Sequence, residues 1–416
     1  MLSVAEAQRI MLAQIKRLEP ETVPLLEALG RVLAEDISAD GALPPFDNSA
    51  MDGYAVRAED LAGASPDRPV RLPVVADVPA GHPAAGEVAA GTAARITTGA
   101  MLPRGADTVV PVEDTDDHAR GASELLTAVT FHAAPRRGAH VRTAGSDVPH
   151  GAQVLRQGVL IRPAEIALLS AVGHSRVAVY RRPRVALLAT GDELVAPDQQ
   201  PGPGQIRNVN EYSTAALVLR YGGVPLLLGI ARDLVDDVTA KLEEAIGQGA
   251  DLIVASAGVS VGAYDVVKDA VRAQGSIDLW KVRMRPGKPI AFGHYRRVPF
   301  FGLPGNPVSA MMTFEQFVRP ALRLMSGFTR WQKPTITVTL LEAIESDGRE
   351  TYARAWVERD GDGWKARLSG GQGSNMLHSL ARANALVIVP DGITHLAAGA
   401  AARAQMLDWP EEIGAV

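Results

Sequence analysis

The segment KVRMRPGKPIAFG (281–293) carries four cations, Lys281, Arg283, Arg285 and Lys288, and no acid. If Trp280 to Arg285 is extended, alternation puts Lys281, Arg283 and Arg285 on one face. Pro286-Gly287 then ends the strand and turns Lys288 round the corner. PFFGLPGNPVS (299–309) follows as an apolar strand, a tight turn and a helix from about Val308. Asn306 suits the N-cap and Pro307 the first turn. A helix start offers free N–H groups and the positive end of its dipole. Beside clustered cations it makes an oxyanion site. A solvated basic edge strand next to an unrelated turn would give the same pattern, so the rest of the chain has to decide.

At 416 residues the chain is too long for one core, and two to four domains are expected. A hydrophobic fraction of 47% supplies several cores. The net charge of -5 argues against a general nucleic-acid binder, so the basic cluster is local. There is no cysteine. That removes disulfides, thiolate metal sites and thiol nucleophiles, and leaves oxygen or His ligands, with Mg²⁺ favoured by acidic clusters. The histidines are scattered, none at metal-ligand spacing and none in a defensible Ser-His-Asp grouping. No apolar run approaches the roughly 20 residues of a membrane span. The start resembles an amphipathic helix rather than a signal peptide, so a cytoplasmic location is expected.

Ser3-Val4-Ala5-Glu6 is a capping-box pattern that predicts a helix over 3–18. A second helical patch runs from Val23 to Leu29 and stops at Gly30, with a third after it. From Pro44 to Pro149 the periodicity turns to short β runs punctuated by Gly, Pro and Asp. Helical character returns at Ile161 to Glu165, with Pro163 in the first turn and Gly173 as terminator. From Arg184 to Gln332 strands and helices alternate, which predicts a parallel sheet covered on both faces. In such sheets ligands lie beyond the carboxyl ends of the strands. Three loops there are polar: Thr190 to Glu193, Ser256 to Asp265, and Pro304 to Ser309. From Pro334 onward the pattern is β again, with Asp360 to Gly363 as a hairpin turn. The fold class expected is therefore multidomain α/β plus all-β. A helical linking domain (1–43 and 150–183) receives an inserted β domain (44–149). A central doubly wound α/β domain (184–332) and a C-terminal barrel-like β domain (333–416) complete it.

Each polar loop admits two readings. Asp192 and Glu193 could hold Mg²⁺, or serve as an N-cap and first-turn acid. Ser256 to Asp265 could cradle a phosphate, or be a glycine-relaxed turn; it matches neither a Walker A nor a full G-x-G-x-x-G pattern. Asp47 to Tyr54 could present carboxylates, or be a domain-entry turn bonded to its own backbone.

Longer motifs go further. PPFDNSAMDGYAVR (44–57), ITTGAMLPRGADTVVPVED (96–114), AGSDV (144–148), LATGDEL (188–194), GQIRNVN (204–210), AGVSVGAYD (257–265), RPGKP (285–289) and GLPGNPVS (302–309) resemble the MoeA family. Its members are molybdopterin molybdenumtransferases, related to the E domain of gephyrin. The resemblance spans nearly the whole chain, with the motifs in the family's order. It implies a homodimer of four-domain subunits with a central domain like that of the enzymes that adenylylate molybdopterin.

It also implies the reaction: adenylylated molybdopterin and molybdate combine, molybdenum enters the dithiolene, and AMP leaves, with Mg²⁺ (Zn²⁺ as the alternative) at the pyrophosphate bond. By motif, Asp192, Glu193, Asp233 and Asp265 become the acidic rim around metal and pyrophosphate. Lys281, Arg285 and Lys288 become the cations that hold the oxyanion. Ser256, Gly258, Ser260 and Gly262 form the cradle, and Pro304, Gly305, Asn306 and Ser309 the facing turn. Arg354 and Ser374 match oxyanion-binding positions of the fourth domain. Asp52, Thr98 and Asp147 match residues that line the cleft from the partner subunit. Asp52, Thr98, Asp147, Glu193, Asp265 and Lys281 are the catalytic residues that the resemblance implies. The sequence departs from the usual pattern at Ala257, Ala263 and Arg285. Molybdopterin adenylyltransferase and molybdoenzyme maturation factors are the implied protein partners. The alternatives are nucleotidyl transfer to molybdopterin, a non-catalytic gephyrin-like dimeric scaffold, and a tungstate-specific paralogue.

Overall fold

The computed structural model describes residues 1–118, 125–256 and 263–410. They form two compact units, one of 1–22, 30–34 and the chain from Ala178 onward, the other of 23–29 and 35–177.

The first unit is built on a six-stranded sheet. Its strands are β1 (Arg184–Thr190), β2 (Val224–Ala231), β3 (Leu252–Ser256), β4 (Gly275–Lys281), β5 (Pro289–Tyr295) and β6 (Val298–Leu303). They lie in the order β2-β1-β3-β6-β5-β4. The first four positions are parallel, and β5 runs antiparallel to both its neighbours, β6 and β4. Helices cover both faces, so the central strands are apolar on both sides along most of their length. Val185, Leu187, Val254 and Phe301 meet α1 (Val4–Leu12), α2 (Asn210–Arg220) and α5 (Pro307–Thr313). Ala186, Leu188, Ile253 and Ala255 meet α3 (Val235–Gly247) and α4 (Ala263–Gln274). From α5 the helix runs on through a π turn over Phe314–Val318 into α6 (Arg319–Met325).

Five strands close the C-terminal barrel of the same unit: β7 (Thr335–Leu340), β8 (Glu350–Asp360), β9 (Gly363–Leu368), β10 (Ala385–Val389) and β11 (Ala401–Met406). The ring is β8-β9-β7-β11-β10, and β10 pairs back to β8. Its interior is rich in alanine and valine (Ala353, Ala355, Val357, Val387, Ala404), the size a narrow barrel can hold.

The second unit holds a five-stranded sheet in the order Thr108–Pro111, Gly53–Val56, Ala93–Ile96, Val70–Val78, Ala128–Phe131. Tyr54, Leu61, Leu72 and Phe131 form one core, and Ala55, Val78, Ile96 and Val109 another. The helix Pro163–Ala171 belongs here and starts with its proline in the first turn, as expected.

Three local expectations fail. The first helix is capped by the Ser3–Glu6 box but ends at Leu12 rather than Leu18. The chain then turns, and Leu18 N–H donates to the Met325 carbonyl instead of an intrahelical one. Val23–Leu29 is not a regular helix: Pro20–Pro24 is extended and only Leu25–Ala28 makes a 3₁₀ turn. Two prolines and the β-branched Thr22 and Val23 oppose helix there. No helix follows Gly30, because Leu33 bridges to Val179 and Arg31 donates to the Tyr180 carbonyl.

The join between α-helical and barrel parts contains a buried polar group. Glu315, 4% exposed, accepts from Tyr221 Oη (2.6 Å) and Lys333 Nζ (2.9 Å). Burial lowers the Lys333 pKa, opposed by the Glu315 charge, and raises that of Tyr221. Removing one member strands the other. Lys333→Ala should therefore cost about 3–5 kcal/mol of stability, read by urea unfolding, whereas Lys333→Met with Glu315→Leu should cost clearly less.

Candidate functional site

The chain runs from β1 outward to β2 and then crosses back to β3 on the other side of β1. This reversal opens a crevice at the carboxyl ends of β1 and β3. A cleft of about 1140 Å³ lies there, with Thr190 and Ser256 at those strand ends in its lining. The loop Gln205 to Asn210, the loop Arg285 to Pro289 and the turn Pro304 to Ser309 form its walls, together with Arg349 and Gln372 to Ser374 from the barrel. Arg207, Arg285, Lys288 and Arg349 bring four positive charges to the lining, against one carboxylate, Glu193. That balance suits a multiply charged anion.

The cation loop is fixed from several sides. β4 and β5 are antiparallel, with Lys281 opposite Pro289, so residues 282–288 form the connection. Val282 N–H closes it on the Lys288 carbonyl (2.8 Å). Leu2 N–H donates to the Lys281 carbonyl and Arg283 N–H to the Leu2 carbonyl. Met284–Arg285 adds a short parallel strand to Glu350–Thr351 of β8. Arg283 is spent on Asp391 and the Gly348 carbonyl. Arg349 donates to the Met284 carbonyl (2.9 Å) and pairs with Asp347, whose carboxyl it holds below the usual range.

The regular strand ends at Lys281, short of Arg285, but burial still alternates: Val282 and Met284 are buried, Lys281 is exposed, and Arg283 and Arg285 are half-buried. Lys281 is exposed and outside the cleft lining, and Arg283 is ion-paired, so Arg285 and Lys288 are the two cations of this segment that reach the cleft.

The turn Pro304 to Ser309 lies opposite. Asn306 occupies the N-cap position of α5 but makes no capping bond; its Nδ2 donates to Ser374 Oγ (3.2 Å). Asn210 Nδ2 donates to the Gly305 carbonyl (2.7 Å). Arg354 is fully buried and donates to Ser379 Oγ and the Gly371 and Gly373 carbonyls, so it holds the loop that presents Ser374 and does not itself line the cleft. Burial lowers its pKa, and Nη1 has no hydrogen-bond partner.

Glu193 lines the cleft, with Asp192 beside it in sequence and Asp233 just past β2. Asp233 N–H donates to Asp192 Oδ1 (3.2 Å). Burial raises the Asp233 pKa, and the charges of Asp192 and Glu193 add to that. Asp233 Oδ1 and Thr190 Oγ1 are buried without a partner. Unpartnered oxygens beside a second carboxylate suit a cation such as Mg²⁺. Among the described residues no three His, Asp or Glu side chains converge as a complete ligand set. Gly258, Ser260, Gly262 and the Asp265 side chain lie outside the described residues.

In the second unit, Asp52 Oδ1 accepts from the Thr98 N–H (2.6 Å) and from Thr98 Oγ1 (3.0 Å), so these two residues form one exposed group. Asp147 is exposed, its N–H bonded to the Leu43 carbonyl.

Arg207, Asn210, Arg349 and Gln372 are among the lining residues that carry no role in the sequence reading. Arg207 and Asn210 sit in GQIRNVN, where the motif itself was the available signal. Arg349 and Gln372 come from the barrel and had none.

Three family models match the chain: MoeA N-terminal region (domain I and II) over residues 2–173, probable molybdopterin binding domain over 186–324, and MoeA C-terminal region (domain IV) over 337–407. Molybdopterin molybdenumtransferase 2 of Mycobacterium tuberculosis is 40% identical over 406 residues, covering 96% of this chain and 98% of that protein. Molybdopterin molybdenumtransferase of a Nostoc species is 39% identical over 410 residues, covering 96% and 92%. The solved structure of a molybdopterin biosynthesis MoeA protein from Pyrococcus horikosii superposes with a TM-score of 0.81 at 31% identity, covering 98% of this chain and all of that one.

The cation loop also depends on one glycine. Gly287 has φ +107°, and a Cβ there would lie 2.5 Å from Thr313 Oγ1 on α5. Gly287→Ala should lower stability by about 1–3 kcal/mol. An unchanged urea midpoint would show that the loop does not need this close approach.

Proposed function

The chain belongs to the MoeA family, and on that footing we propose that it catalyses insertion of molybdenum from molybdate into adenylylated molybdopterin, with release of AMP. The observation that carries this reading is the cleft at the carboxyl ends of β1 and β3, where four cationic side chains and a helix start line the same space as Glu193. The transferase names of relatives that match it along nearly their whole length support the same chemistry. Nucleotidyl transfer, a purely structural scaffold and a tungstate-specific role have no comparable support.

Both reactants are anionic. Molybdate is a tetrahedral dianion, for which Arg285, Lys288, the Ser309 hydroxyl and Ser374 supply charge and hydrogen bonds. The pyrophosphate of the second substrate lies toward Ser256 and the strand-end acids. Breaking its phosphoanhydride bond needs neutralisation of the charge that develops on the departing phosphate more than a protein nucleophile. Mg²⁺ supplies that neutralisation when bound, and Asp192, Glu193, Asp233 and Asp265 are the residues that would hold it. The chain's own residues orient the pyrophosphate against the rim and hold the oxyanion beside it. Arg354 acts here through the loop bearing Ser374. The parts given to Lys281, Asp52, Thr98 and Asp147 rest on the family motifs alone. No protein thiolate is required, because the sulfur ligands of the product come from the pterin.

The same reading makes the protein a cytoplasmic homodimer in which the 44–149 domain of one subunit faces the 184–332 domain of its partner. Among the described residues no helix is long and apolar enough to cross a membrane.

Adenylylated molybdopterin with Mg²⁺ should release AMP faster when molybdate is added. Absence of that stimulation in folded protein would overturn the transferase reading. Lys288→Ala should raise the molybdate concentration for half-maximal release by about tenfold or more, the loss of one charge-assisted contact, with little change in unfolding midpoint. Unaltered molybdate saturation would remove Lys288 from the site. Light scattering at micromolar concentration should give a dimer mass; a monomer would contradict the shared-cleft arrangement.

A further inference from the structure

The register of β2 on β1 slips once. Leu227 pairs with Leu187 but Ile230 with Ala189, so β2 uses three residues where β1 uses two. The extra residue bulges the strand, and Gly229 takes φ +76° there. A bulge leaves an N–H without its ladder partner, and a buried N–H has to find another acceptor. Glu211, in the first turn of α2, supplies it: Oε1 accepts from Gly229 N–H at 2.7 Å. Oε2 accepts from Asn208 Nδ2 at 2.8 Å, while Asn208 Oδ1 takes the Glu211 N–H at 3.3 Å. Glu211 is 5% exposed, and both oxygens face neutral donors.

These two bonds lead to the two segments that carry the strand-end acids. Gly229 runs on to Ala231, whose carbonyl accepts from Gly191 N–H, and then to Asp233, whose N–H donates to Asp192. On the other side, Asn208 N–H donates to the Val195 carbonyl and Ile206 N–H to the Glu193 carbonyl, both at 2.8 Å. The loop anchored by Asn208 therefore carries the backbone of Glu193. We propose that Glu211 is a positioning residue that sets the spacing of Asp233 and Asp192 against Glu193 by tying the Gly229 bulge to the Asn208 loop. It touches no ligand. The inference rests on the reading of those acids as the metal and pyrophosphate rim.

A carboxylate is needed because both partners donate. Glutamine keeps one acceptor and turns an NH₂ toward the other donor, with the volume nearly unchanged. In Glu211→Gln, amide exchange across 227–233 should rise while the rest of the central sheet stays protected. Mn²⁺, used as a spectroscopic probe of the Mg²⁺ site, should bind about 10–100-fold more weakly, the usual cost of losing a group that orients metal ligands. The Mg²⁺ needed for half-maximal AMP release should rise in step, with the rate at saturating Mg²⁺ changed by no more than about threefold.

Unchanged exchange, or raised exchange with wild-type Mn²⁺ affinity, would overturn the positioning role. If Glu211→Gln does not fold, Gly229→Ala disturbs the same bulge while keeping the carboxylate, and the same shifts are expected; their absence has the same meaning. If the wild-type protein binds no Mn²⁺ and shows no molybdate-stimulated release, the functional reading has failed. The exchange arm then decides on its own whether Glu211 holds the two segments, and unaltered exchange would refute it.

Discussion

A seven-residue connection, Val282 to Lys288, holds cations close together in a place where their mutual repulsion would otherwise open it. Backbone bonds resist this from three directions: Leu2 on one side, Glu350–Thr351 on another, and the loop's own Val282–Lys288 closure. Arg283 and Arg349 are neutralised by Asp391 and Asp347, which leaves Arg285 and Lys288 as uncompensated charge. The cleft is thus preorganised for an anion before any anion arrives. Binding one relieves repulsion already built into the backbone. Everything else in the first unit serves to bring a matching wall to that loop. The parallel sheet supplies Glu193 and Ser256, and the barrel supplies Ser374.

The central α/β part was legible because its signals are local. Wholly apolar runs such as Val185 to Ala189, followed by polar strand-end loops and helical periodicity, give strand, site and helix with little ambiguity. Strands β1, β2 and β3 and helices α2, α3 and α4 alternate along this stretch as those patterns require. The N-terminal stretch was read as too helical because the prolines and β-branched residues around Val23 were outweighed by apolar spacing. The strand expected over Trp280 to Arg285 is shorter for another reason. It stops at Lys281, where the chain meets Leu2 and then β8, although burial alternates on to Arg285.

The site was legible in its residue types and less so in its connections. Asn306 does sit at a helix start, but its side chain is used across the cleft on Ser374 rather than on the helix. Arg354 was read as an oxyanion contact, yet its bonds are turned inward to carbonyls of the loop it supports. Glu211 looks in sequence like an acid complementing a helix dipole. Its partner is a bulge 18 residues further on, which no local pattern announces. Such long-range pairings, like the entry of Arg349 and Gln372 from the barrel, depend on register between strands. Register is a property of the assembled sheet, and a single sequence does not display it.

The barrel ring closes on itself, whereas the central sheet ends at β2 and β4. β2 exposes Val224 and Leu227 to solvent, a composition that invites another extended chain to dock alongside. Two features discourage it. Val224 N–H points inward to the Pro183 carbonyl, so the next residue directs its nitrogen outward, and that residue is Pro225, which has no N–H to offer. Four residues later the Gly229 bulge breaks the repeat of outward-facing groups before a ladder could lengthen. A kink that helps to place an acid thus also keeps nascent chains from zipping together edge to edge, and colloidal stability during folding is bought with the same residue that shapes the cleft.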